Sequence, residues 1–193
     1  MMRYEIRARY DESTIRVYQA YSPGIAVPAL LMGRFVAPFK LGRMTWIKPS
    51  FNWMMYRCGF ASKPGQEMVL GIDITREGFE WALANAALSH PLPSMYASDS
   101  AWRKLLEERN IRVQWDPERD NAIREIPDTR SIQIGLSGDA VEKYVNEWIV
   151  AITDLTPVAK AQGRGGVSVE WPEREERPYP LPEAIAAGII PKT

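Results

Sequence analysis

Glu67-Met68-Val69-Leu70-Gly71-Ile72-Asp73-Ile74-Thr75 reads as a strand, and the residues that follow, Arg76 to about Ala86, read as a helix. Met68, Leu70, Ile72 and Ile74 occupy every second position and form a continuous apolar face. Glu67, Val69, Gly71, Asp73 and Thr75 make up the other face, which is expected to be only partly buried. Thr75 stands where a side-chain oxygen can cap the helix, and Phe79, Ala82, Leu83 and Ala86 recur at helical spacing after it. A strand feeding a helix in this way lays helices on a sheet, and the flanking elements decide what kind of sheet it is.

Toward the N-terminus, Met44 to Lys48 reads as a short strand stopped by Pro49, Ser50 as the cap of a helix over Phe51 to about Arg57, and Gly59 as its end. Tyr4 to Tyr10 alternates apolar and charged residues as a half-buried strand does, so Arg7 and Arg9 point the same way. Asp11, Ser13 or Thr14 predicts the cap of a helix through about Tyr21. Ser22-Pro23 opens a further helix that Pro28 kinks or restarts, and Gly33 to Lys40 is a loop.

Toward the C-terminus, His90 to Pro93 ends the first helix, a second spans about Ser100 to Asn110, and Ile111 to Trp115 is a strand. Asp116 to Asp128 reads as a charged loop, Arg130 to Leu136 as a strand, and Gly138 to about Thr153 as a helix with an apolar stripe from Val141 to Ile152. The strands are too few and too irregularly interleaved for a doubly wound parallel sheet. The expectation is an α+β single domain, a mixed curved sheet with helices packed on it. Residues 1–160 form its core, and the Pro/Gly-rich residues 161–193 form a C-terminal strap packing on that core, with a short helix over Ala184 to Ile190.

A chain of 193 residues with 46% hydrophobic and 25% charged content has the means to bury one core. Its 24 basic and 24 acidic residues cancel, which argues against a long nucleic-acid footprint or an anionic membrane as partner. Cys58 is the only cysteine and His90 the only histidine, so an internal disulfide, Cys-based zinc sites, Ser/His/Asp triads and two-histidine metal sites are all excluded or hard to build. No metal site is read from the sequence. The N-terminal MMRYEIRARYDES lacks the apolar stretch of a secretion signal, and no window reaches the roughly 20 apolar residues of a spanning helix, so the chain reads as cytoplasmic. No GxGxxG or GxxxxGK[ST] occurs.

The run Arg43-Met44-Thr45-Trp46-Ile47-Lys48-Pro49-Ser50-Phe51-Asn52-Trp53-Met54-Met55-Tyr56-Arg57 carries the most chemistry. A helix start at Ser50 presents free backbone N–H groups, and Arg43, Lys48 and Arg57 add charge around it, an arrangement suited to phosphate or carboxylate. Trp46 or Trp53 could stack on a base. Trp53, Met54 and Met55 also fit the buried face of a core helix, and Ser50 a plain cap. Arg7 and Arg9 would extend the basic surface.

The segments Ile6 to Asp11, Val17 to Tyr21, Arg43 to Arg57, and Arg130 to Leu136 with Glu147-Trp148-Ile149 resemble the family catalogued as domain of unknown function 4291, found in bacteria and fungi, over roughly residues 3 to 180. That resemblance implies a fold family and no reaction. Three functions are open. One is an ADP-ribosyltransferase-like enzyme using NAD, suggested by an arginine-bearing first strand, a hydroxyl-bearing strand with Thr45 and Ser50, and a late strand where Gln133 stands in place of the usual glutamate. In it Asp73 is the candidate base or ribose ligand, although a hydrogen-bonded partner for Lys48 or an arginine is its plainer role. The others are a non-catalytic module for short RNA or another small phosphorylated ligand, and a protein-partner module. Oligomeric state is not legible.

Overall fold

A computed structural model describes residues 2–92, 94–163 and 175–191. The apolar strand Met68–Thr75 is β5, and the helix after it is α3, Arg76–Ala84, capped where the Thr75 hydroxyl accepts from the Gly78 N–H. β5 is the middle strand of a three-stranded antiparallel sheet, between β3 (Thr14–Tyr21) and β9 (Ile149–Asp154). Its apolar face, Leu70, Ile72 and Ile74, belongs to the main core. The opposite face is also covered. Val69 packs into a second apolar cluster with Phe51, Met54, Met55 and Cys58, so the sheet is buried on both sides rather than partly on one.

A second, mixed sheet is built on β8, Glu125–Leu136. One edge of β8 pairs antiparallel with β7, Ile111–Arg119, which in turn pairs parallel with β6, Ala86–Leu88. The other edge is shared by β1, Arg3–Tyr4, in parallel and β4, Thr45–Ile47, antiparallel. The molecule is α+β, as the element order implied.

The helix after β5 stops at Ala84, so Ala86, expected on its stripe, lies in β6, and Tyr4 to Tyr10 is not one strand but two short ones, Arg3–Tyr4 and Arg7–Ala8. Three larger expectations fail, each where long-range pairing overrides local signals. Thr14 to Tyr21 is a strand and not a helix. The Asp11 carboxylate accepts from the N–H groups of Ser13 and Thr14, holding a tight turn instead of a helix start, and every residue of β3 then pairs in register with β5. Those bonds also hold the Asp11 carboxyl down to a pKa of about 2. Asp116 to Arg119 is strand, so the expected charged loop shrinks to the turn between β7 and β8. The helix expected over Gly138 to Thr153 covers only α5, Asp139–Lys143, and a π-helical turn, Tyr144–Trp148; Ile149 onward is β9. Tyr144, Val145 and Trp148 are nevertheless buried as its stripe required.

The remaining helices are α1 (Pro23–Met32), α2 (Phe51–Cys58), α4 (Asp99–Glu108), α6 (Thr156–Gly163) and α7 (Glu183–Ile189). Pro28 lies inside α1 without ending it. Near the C-terminus β10, Arg177–Pro178, pairs antiparallel with β2, Arg7–Ala8. Tyr179 is buried there: its hydroxyl donates to Glu80 at 2.5 Å and accepts from the Arg76 Nε at 3.0 Å. Among the described residues no helix is long and apolar enough to cross a membrane.

Candidate functional site

The two sheets touch at one backbone bridge, where the Tyr18 N–H donates to the Lys48 carbonyl at 2.8 Å. Beyond it β3 and β4 part, and the opening between them is a cavity of about 910 Å3, at the upper end of the roughly 300–1,000 Å3 typical of small-molecule sites. A side chain spans the gap that the backbone leaves. Gln19 is 3% exposed, and its Nε2 lies 2.7 Å from the Thr45 hydroxyl, 2.9 Å from the Trp46 carbonyl and 2.9 Å from the Tyr21 hydroxyl. Its Oε1 accepts from the Tyr144 hydroxyl at 2.7 Å. Burial pushes the Tyr21 phenol up to about 12, so that ring remains a neutral hydrogen-bonding group.

The floor continues onto β7 and β8. Gln114 and Gln133 face each other across that strand pair, and both line the cavity. Asp116, two residues beyond Gln114 and so on the same face, accepts from Gln114 Nε2 at 2.9 Å and from Lys48 Nζ at 3.1 Å. Lys48 is 1% exposed and sits 4.0 Å above the centre of the Trp53 ring. Burial lowers its pKa to about 8 against the pull of Asp116, Glu118 and Glu176. Trp46 lies against Gly135, where a Cβ would come within 2.9 Å of its ring; the missing side chain leaves room for the indole there.

The rim is cationic. Arg43 and Lys40 come from the loop before β4, and Arg57 from the last turn of α2; all three are exposed, and none has an ion-pair partner among the described residues.

Seven residues singled out from the sequence therefore line one cavity: Arg43, Thr45, Trp46, Lys48, Trp53, Arg57 and Gln133. Trp53 and Met54 do so from within the second core, so they serve packing and the wall together. Ser50, Arg7, Arg9 and Asp73 are not among the lining residues. Ser50 caps α2 by accepting from the Trp53 N–H and donates its own hydrogen to Glu118 at 2.8 Å. The Phe51 N–H, one of the free groups expected to receive an external anion, donates to the Glu176 carboxylate at 2.6 Å. The expected anion seat on α2 is thus filled by the chain's own carboxyl group. Arg7 donates to the Glu176 carbonyl at 2.6 Å and to Glu5 at 3.2 Å. Asp73 is bound by Arg16 through two bonds of 2.6 and 2.7 Å, the arginine partner its plainer reading named. Gly71 beside it leaves the space that the Arg16 guanidinium fills.

The residues missed by the sequence reading are Gln19, Tyr21, Lys40, Gln114 and Asp116. Alternation of Arg112, Gln114 and Asp116 against the buried Ile111 and Val113 carries β7 past Trp115 and would have found Asp116. Gln19 and Tyr21 lay in a strand taken for a helix. Nothing local marks Lys40. Among the described residues no cluster of three or more His, Cys, Asp and Glu side chains could hold a metal.

No protein of curated function matches the chain. A family model described as Domain of unknown function (DUF4291) matches residues 5–180, and on that match the chain belongs to this family.

Proposed function

We propose that the cavity binds a small phosphorylated ligand of the nucleotide class, with Arg43, Arg57 and Lys40 receiving phosphate oxygens at the rim and Trp46 lying against a base. The observation that carries this reading is the set of three cations gathered around one large cavity without ion-pair partners among the described residues. Like charges brought together repel, and an anionic ligand relieves that cost while gaining charge-assisted hydrogen bonds. A chain of zero formal net charge has no general reason to concentrate cations there. The polar floor suits the rest of such a molecule better than an apolar ligand would.

Tryptophan fluorescence titrations with NAD, ATP and a short RNA oligonucleotide test the reading. Saturable quenching by a mononucleotide or dinucleotide is expected, and Arg43→Ala and Arg57→Ala each weaken it about tenfold, since a hydrogen bond to a charged group contributes about 1.5 kcal/mol or more. Quenching by RNA alone would favour the non-catalytic module, and no response to any of the three sinks the nucleotide reading.

Thr45 and Gln133 are both among the lining residues, and on them rests the narrower reading of an ADP-ribosyltransferase-like enzyme using NAD. Release of nicotinamide from NAD, lost in Gln133→Ala with NAD binding kept, is its expected signature. Asp73, held by Arg16, has no part in it.

A further inference from the structure

The floor holds one feature that phosphate binding leaves unexplained. Asp116 is the only carboxylate among the described residues that lines the cavity, and a negative charge there opposes a phosphate. Its orientation is fixed from two sides. Gln114, on its own strand, donates to Oδ1, and Lys48, arriving from the end of β4, donates to Oδ2. Lys48 is itself pinned over the Trp53 ring and lies 3.4 Å from the Ser131 carbonyl. An ionised carboxylate offers about four acceptor positions, and these two bonds use half of them. The side chain retains 13% of its exposure, and the cavity is what it faces.

Burying such an ion pair is a poor way to add stability, because desolvation cancels most of the attraction and apolar residues of similar volume do as well or better. An oriented carboxylate at the base of a cavity with cations at its mouth does have a use. It repels the anionic part of a ligand toward the rim and accepts O–H groups at the floor. Gln133, opposite Gln114, has no side-chain hydrogen bond among the described residues, so its amide supplies one more donor and one more acceptor beside the carboxylate. Two adjacent hydroxyls on one ring match a single carboxylate held in this way.

We infer that Asp116, oriented by Gln114 and Lys48, receives the vicinal hydroxyls of a ribose, so that the cavity takes ribonucleotides in preference to their 2′-deoxy counterparts. The inference rests on the phosphorylated-ligand reading and deepens it.

The experiment compares ADP, 2′-deoxy-ADP and inorganic pyrophosphate on the full chain by calorimetric titration. ADP is expected to bind about tenfold more tightly than 2′-deoxy-ADP, and both more tightly than pyrophosphate. In Asp116→Asn, which keeps an oxygen for Lys48 but loses the charge, the two nucleotides are expected to become equal while pyrophosphate is held at least as well as before. Equal affinity for ADP and 2′-deoxy-ADP in the unaltered protein overturns the ribose assignment and leaves the phosphate reading intact. Binding of none of the three overturns both. The comparison between ligands needs no variant, so a folding defect in Asp116→Asn does not protect the inference.

Discussion

The two ends of α2 carry similar side chains and treat them in opposite ways. At its N-terminus the free Phe51 N–H is met by Glu176, Ser50 is bonded to Glu118, and the ammonium of Lys48 is satisfied by Asp116, the Ser131 carbonyl and the Trp53 ring. At its C-terminus Arg57 joins Arg43 and Lys40 around the cavity without an ion pair among the described residues. Before the structure, the N-terminal end had the better claim to a ligand, since unpaired N–H groups and a positive dipole end make an anion site. The chain fills that place itself, with the Glu176 carboxyl group accepting from the Phe51 N–H. Charge alone does not mark a site; charge that the fold leaves unanswered does.

The sharpest way to break this contrast is at Lys48. Lys48→Ala removes the cation from a buried group of carboxylates, and unfolding in denaturant should show a loss of about 3–5 kcal/mol, the range for taking one partner from a buried pair. A change below about 1 kcal/mol would mean that the ammonium is hydrated and belongs to the cavity rather than to the packed end.

A smaller loss is expected at Gly135, where the cavity wall depends on an absent side chain. Gly135→Ala places a Cβ within 2.9 Å of both the Trp46 ring and the Met44 sulfur. Overpacking of this kind costs about 1–3 kcal/mol. The tryptophan emission should shift as Trp46 is pushed off the sheet, and nucleotide affinity should fall with it. An unchanged spectrum with unchanged binding removes Trp46 from the ligand-facing wall.

Which parts of this contrast were legible in the sequence follows from how far apart the partners are. Ser50, Gly59, Thr75 and the period of β5 are local signals, and α2, β5 and α3 came out where those signals put them. β3 misled because Ile15 to Gln19 are buried without interruption, so it shows no alternation, and Asp11 and Ser13 look the same at the start of a turn and of a helix. The segment after Trp148 turned out to be strand because Ile149 to Asp154 finds β5 as a partner, a contact that helical spacing cannot report. The cavity was half visible. The aromatic and basic run from Arg43 to Arg57 announced itself, but Gln19, Gln114 and Asp116 reach it from strands distant in sequence. Glu176 meets Phe51 across 125 residues, with no short-range sign of the meeting.

Glu176 also gives the packed end a dependence on pH. Burial raises its carboxyl from 4.5 to about 8, with neighbouring Glu118 adding to the rise and Arg7 and Lys48 opposing it. Between those values the folded chain keeps a proton that the unfolded chain has lost, so this group lowers stability as pH rises from about 4.5 to 8. Lys48 acts in the next window. Its pKa falls from 10.5 to about 8, so there the unfolded chain holds the extra proton and stability gains as pH rises toward 10.5. Glu176→Gln keeps an acceptor for the Phe51 N–H and removes the titration. Denaturation midpoints at about pH 5 and pH 8 should then converge relative to the unaltered protein, and midpoints that stay as far apart place the titration elsewhere.

The smallest effect on stability is expected at the rim, and there its smallness is the point. Arg43→Ala, Arg57→Ala and Lys40→Ala remove exposed side chains with no ion pair among the described residues, so each should alter unfolding by no more than about 0.5 kcal/mol. Their loss should appear in nucleotide affinity and in its salt dependence, because exposed cations act on a phosphate through a screened field. The opposite pattern at Lys48, a large loss of stability, completes the test. If the rim variants destabilise the fold and leave binding untouched, the cations are structural, and the distinction between the two ends of α2 disappears.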